Sequence, residues 1–146
     1  MRRLAAALLV AAVLAGCGGG LASPVALKNH ATRICRVTGR AINPTSTPAS
    51  PGQLTAFLTV GIRNLQSELG QLRGLHAPSG EVGAVYGAAL RSLAAELSAL
   101  RSAVVAIRRG QDPALAFRTL QEQLAPLEKQ ANGAWQALGI PACLER

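Results

Sequence analysis

Four stretches of this chain open with a helix-capping signal and continue as one apolar stripe in steps of three and four, a pattern that only helical packing satisfies. The openings are Ser23-Pro24, Ser50-Pro51, Ser79 with Glu81, and Asp112-Pro113. Each offers a side-chain oxygen at the N-cap, and three place proline at the first helical position, where its missing N–H costs nothing. Stops follow at Asn43-Pro44, Gly74, Gly110 and Gly139, by proline or by the left-handed conformation that glycine tolerates. The third stripe is the clearest, with Tyr86, Leu90, Leu93, Leu97, Leu100, Val104 and Ile107. The second runs Leu58, Ile62, Leu65, Leu69, Leu72, and the fourth Phe117, Leu120, Leu124, Leu127, Ala131, Leu138. The first is weaker: Leu27, Ala31, Ile34, Thr38, Ala41. Abundant alanine beside the stripes favours helix and lets helices approach closely. The expected fold is all-α, an antiparallel up-and-down four-helix bundle.

Within that bundle one local rule is broken. Pro126 falls inside the fourth stripe, where it removes the hydrogen bond to the Glu122 carbonyl and crowds the preceding turn, so a kink is expected. A kink opens space between helices, and Phe57, Tyr86, Phe117 and Trp135 together with Pro126 are the residues that would line an apolar ligand pocket there. The segment from Asn43 to Ser50 is rich in proline and hydroxyls and reads as an exposed loop.

The N-terminus carries an address. Met1-Arg2-Arg3 leads into an apolar run from Leu4 to Leu14, followed by Ala15-Gly16-Cys17, and this resembles the export signal and lipobox of bacterial lipoproteins. The resemblance implies cleavage after Gly16 and lipid (palmitate-type) acylation of Cys17, with residues 1–16 as signal peptide, 17–23 as a flexible tether and 24–146 as one helical domain. The run is too short for the ~20 residues of a spanning helix, and no later segment is both long and free of charge. The mature chain would hang from the membrane by the lipid on Cys17, outside the cytoplasm, and two acyl chains hold firmly where one does not. Gly18 is not the aspartate that marks inner-membrane retention, so an outer membrane is allowed if the host has one.

With Cys17 committed to lipid, Cys35 and Cys143 remain in a compartment that permits oxidation, and a disulfide between them is expected. It would close a loop of 108 residues, worth about 4 to 5 kcal/mol in the chain-entropy model. Because Cys35 lies well up the first helix, the tail after Gly139 must fold back over it, burying Ile140, with Pro141 holding the return extended. The pair Ile34-Cys35-Arg36 and Leu138-Gly139-Ile140-Pro141-Ala142-Cys143 also resembles small lipoproteins of high-GC Gram-positive bacteria, a group without an assigned activity. That resemblance implies fold and location and no reaction.

Chemistry is sparse. The one aspartate, Asp112, is best used as a cap, and the glutamates form no facing pair for acid and base roles. His30 and His76 lack a third ligand at metal spacing, Glu-x-x-His and Cys-x-x-Cys-His are missing, and Met1 is the only methionine, so no metal or cofactor is expected. The net charge is +8, and it stays positive after Arg2 and Arg3 are removed. Arg33, Arg36 and Arg40 form one basic ridge, with Arg108 and Arg109 expected at its far end, suited to an acidic partner such as an envelope protein, an anionic polymer or lipid headgroups. No aromatic interleaving supports nucleic acid. The expected function is a non-enzymatic binding or scaffold module of the cell envelope; the alternative is a carrier of a small apolar ligand near Pro126.

Overall fold

The computed structural model describes residues 23–42 and 50–144. Helix α1 spans Pro24–Ile42, α2 Pro51–Arg73, α3 Glu81–Arg108 and α4 Pro113–Ala137, and a single 3-10 turn follows at Pro141–Cys143. Among the described residues there is no strand. The export signal, Cys17, the Asn43-Pro44 stop and most of the 43–50 loop lie outside them.

The caps form largely where the sequence puts them. The Ser50 hydroxyl accepts from the Gln53 N–H at 3.4 Å, Asp112 Oδ1 from the Leu115 N–H at 2.9 Å, and Ser23 from the Ala26 N–H at 3.4 Å. Helix α3 departs from this. Its N-cap is Gly80, at φ 82, with no side-chain cap bond, rather than Ser79. The left-handed backbone at 80 turns the chain so tightly that a Cβ on Gly83 would strike the Pro78 carbonyl oxygen; glycine is required at both places. At the other ends, Gly110 (φ 95) and Gly139 (φ 64) adopt the left-handed conformation, whereas Gly74 (φ −73) ends α2 in right-handed geometry.

The turn after α4 decides the course of the tail. Gly139 N–H donates to the Gln136 carbonyl and Ile140 N–H to the Trp135 carbonyl, both at 2.9 Å, which is the paired-bond Schellman termination. Its hydrophobic partners, Ile140 and Trp135, are both buried in one cluster. The turn therefore drives Ile140 into the core and aims the next residues at α1. Pro141 begins a 3-10 turn and does not hold the return extended. Lys28 of α1 closes over the same place, its Nζ 2.9 Å from where a Cβ on residue 139 would sit. Helix α4 has no basic residue in its own last turn, so Lys28 supplies the cation that a helix C-terminus favours.

Packing is unequal along the bundle. Tyr86 at the start of α3 bonds Leu72 at the end of α2, and Leu120 of α4 packs with Ala103 and Val104 of α3, so α2, α3 and α4 run alternately up and down. Helix α1 packs on α2 and on the tail, and the tail on α4; the tail thus fills the seam that a direct α1–α4 contact would make in a closed ring. Two clusters result. One joins Leu27, Ala31 and Cys35 of α1 to Leu69, Leu72, Tyr86, Leu93, Trp135, Ile140 and Cys143. The other, at the far end, is built by Leu54, Leu58, Ala103, Val104 and Leu120 and includes no described residue of α1. Each fully buried leucine contributes about 1.5–3 kcal/mol, and most of them lie in α2–α4.

Two stripes depart from the expected line. In α1 the buried line passes through Cys35, with Ile34 only half-buried, because the tail covers that side. In α4 the last fully buried residue is Trp135, three positions before Leu138, which caps the helix and packs half-buried against the same cluster. The disulfide and the all-helical fold stand as expected.

Gly139→Ala should lower stability by about 1–2 kcal/mol, through the left-handed backbone and the contact with Lys28. Gly133→Ala, in the interior of α4 with open space around its Cβ position, should instead raise stability by up to about 1 kcal/mol. Thermal unfolding of the two variants reads the contrast, and equal shifts would contradict it.

Candidate functional site

The two cysteines meet in the core. Cys35 and Cys143 are bonded with their Cα atoms 5.0 Å apart, and both are fully buried. A third group belongs to this centre: a Glu68 carboxyl oxygen lies 3.6 Å from Cys35 Sγ, on a side chain with no exposure. A disulfide sulfur carries no proton, so in the bonded state any hydrogen bond here must be donated by the carboxyl. A thiol at Cys35 would reverse the direction.

Glu96, on α3, is the second buried acid, and it faces a groove of about 270 Å³ between α2 and α4, floored by α3. Gly61 and Leu65, Leu100, Leu124 and Glu128, Asn132 and Leu144 complete its walls. Neither acid stood out in the sequence. The available signal was their placement: each follows a stripe leucine by three residues, Leu65 or Leu93, and directly precedes another, Leu69 or Leu97. That is the edge of the buried face.

The aromatic residues are not brought together around Pro126. Tyr86 and Trp135 pack edge to face, 6.0 Å between ring centres, in the cluster beside the disulfide. Phe57 and Phe117 pack against the far cluster. Pro126 is exposed, and α4 runs on through it; the ring sits on the solvent side, where water compensates a lost backbone bond. The expected pocket is therefore replaced by the groove above, whose α4 wall, Leu124 and Glu128, brackets Pro126.

The basic residues lie on two helices. Arg33, Arg36 and Arg40 are exposed along α1, while Arg108 and Arg109 end α3 at the far cluster. His30 and His76 are exposed, and among the described residues no three metal-type ligands converge. No described helix is long and apolar enough to cross a membrane.

Tyr86 holds the disulfide end together. Its hydroxyl donates to the Leu72 carbonyl at 2.7 Å, at the end of α2, where the same oxygen also accepts from the Leu75 N–H at 3.1 Å. Trp135 Nε1, equally buried, has no hydrogen-bond acceptor among the described residues, so Tyr86 is the one polar tie of the aromatic pair. Burial raises its hydroxyl from 10.0 to about 12. No family model, curated protein or solved structure matches this chain.

A raised folded-state value means that the neutral phenol is favoured by folding: its contribution is complete below pH 10, and is lost as pH rises towards 12. Tyr86 is the only tyrosine, so phenolate absorbance reads it alone. It should titrate near 12 in the folded protein and near 10 in denaturant. Tyr86→Phe should cost about 1–2 kcal/mol at neutral pH and remove the phenol's share of the alkaline destabilisation; a folded-state midpoint at 10 would show that the hydroxyl is solvated.

Proposed function

We propose that this chain is a lipid-anchored, extracytoplasmic module of the cell envelope that works by binding and not by catalysis. The observation that carries the reading is the pairing of two features. Leu14-Ala15-Gly16-Cys17 provides a cleavage and acylation motif after a basic, apolar start, and the remaining two cysteines form one buried disulfide, a bond that persists in oxidising compartments and is rare in the cytosol. The tether from Cys17 to Ser23 places the bundle directly at a membrane surface. Buried acids next to a disulfide and in a groove suit structural or recognition roles, and among the described residues no hydrogen bond pairs a nucleophile with a base.

The groove favours a second reading, a carrier of a small ligand with an apolar body, held between Leu65, Leu100, Leu124 and Leu144. One preparation serves both readings. Protein expressed in a bacterial host should enter the detergent phase on partitioning and carry the mass of a diacylglyceryl group at Cys17, and Cys17→Ser should lose both. A Ser variant that still partitions like the wild type would contradict the lipoprotein reading. Native mass spectrometry of the same material should show a further, non-covalent adduct only if the carrier reading holds.

A further inference from the structure

Helix α1 differs from the other three in charge. It carries Lys28, Arg33, Arg36 and Arg40 and no acid, whereas α2, α3 and α4 each contain at least one glutamate among their basic residues. Lys28 is engaged at the end of α4. The three arginines are exposed, and no hydrogen bond or ion pair within the described residues uses them.

The apolar exposure is concentrated on the same element. Val25, at 68%, and Val37, at 62%, are the two most exposed large hydrophobic residues described. Advancing about 100° per residue, the helix places Val25, Asn29, Arg33, Arg36, Val37 and Arg40 within one arc of about 120°. The opposite face, Leu27, Ala31 and Cys35, is fixed to the core, and the disulfide prevents that face from rotating outward. A rigid helix thus presents arginines interleaved with two exposed valines to the outside. This is the composition of an interfacial surface, in which cations meet headgroups and short apolar side chains enter the boundary beneath them.

We infer that this outer face of α1 docks flat on anionic phospholipid of the membrane that holds the chain. The inference rests on the anchored reading, since the occupant is argued from position as well as charge. Pro24 begins α1 only seven residues after Cys17, a span of at most about 25 Å, so headgroups are the first acidic surface that α1 meets. Tethering removes most of the association cost, and the basic face then sets which side of the bundle faces the bilayer. The groove between α2 and α4 lies away from this face on elements that α1 does not line, and is left open to the envelope.

The test uses the chain from Gly18 onward, which contains every described residue and lacks the lipid, so failure of anchoring and failure of docking are separable. Sedimentation with phosphatidylcholine vesicles containing phosphatidylglycerol should retain it, and vesicles of phosphatidylcholine alone should not. Each cation near an anionic surface contributes about fivefold, so Arg33→Gln/Arg36→Gln/Arg40→Gln should weaken partitioning by roughly a hundredfold. Val25→Ser/Val37→Ser should weaken it about tenfold. The same charge removed elsewhere, Arg73→Gln/Arg91→Gln/Arg118→Gln, should cost less than about fivefold. All substituted positions are exposed, and circular dichroism should show unchanged helicity. Equal loss in both arginine triples would reduce the effect to net charge and overturn the docking face. Retention by a glycerol-phosphate polymer without retention by vesicles would assign the face to a wall polymer and overturn it equally.

Discussion

The Cys35–Cys143 bond is the interaction on which the four-helix arrangement depends. Helices α2, α3 and α4 share two clusters and are linked by short turns, so they form a unit whose contacts are mostly local. Among the described side chains, helix α1 joins only one of those clusters, and its neighbours are α2 and the tail. Without the bond, α1 would keep only its seam with α2 and its non-covalent packing on the tail. With it, the last residues of the described chain are clamped to the middle of the first helix across a separation of 108 residues. The local devices around it serve the same end: Gly139 turns the tail, Ile140 plugs the core, Lys28 covers the end of α4, and Tyr86 fastens α2 to α3 beneath.

This arrangement bears on function through rigidity. An anchored module needs one face fixed towards the membrane and another free. A helix that is pinned by a buried bond cannot roll its arginines inward, and the groove over Glu96 is formed by elements that do not include α1. The proposed roles of anchor, docking face and open groove therefore fall on different parts of the chain: Cys17, the outer side of α1, and the α2–α4 seam.

Helix positions were legible because their signals are local. An N-cap oxygen at Ser50 or Asp112 acts within three residues, and a leucine stripe reports its own buried face. The failures were of a different kind. The start of α3 depends on the contact of Gly83 with the Pro78 carbonyl, which spacing does not reveal. Trp135 belongs to the core because the tail folds back over it, a long-range event. The aromatic residues looked equivalent along the sequence, yet Phe57 and Phe117 pack on one cluster and Tyr86 and Trp135 belong to the other, the one that the described α1 side chains join. Glu68 and Glu96 read as ordinary surface acids until the neighbouring helices closed over them. The disulfide was legible only by counting, through the resemblance of Leu14-Ala15-Gly16-Cys17 to a lipobox, which sets Cys17 aside.

The central claim is that α1 is a separately held element secured by the tail. Native-state hydrogen exchange of the oxidised protein and of Cys35→Ser/Cys143→Ser tests it directly. The account predicts that the variant keeps slow exchange in α2, α3 and α4 around Leu58, Val104 and Leu120, while the amides of Pro24–Ile42 exchange through a lower-energy opening of their own. Amides of α1 that stay as protected as those of α3 in the variant, or that lose protection in step with all three other helices, would contradict it.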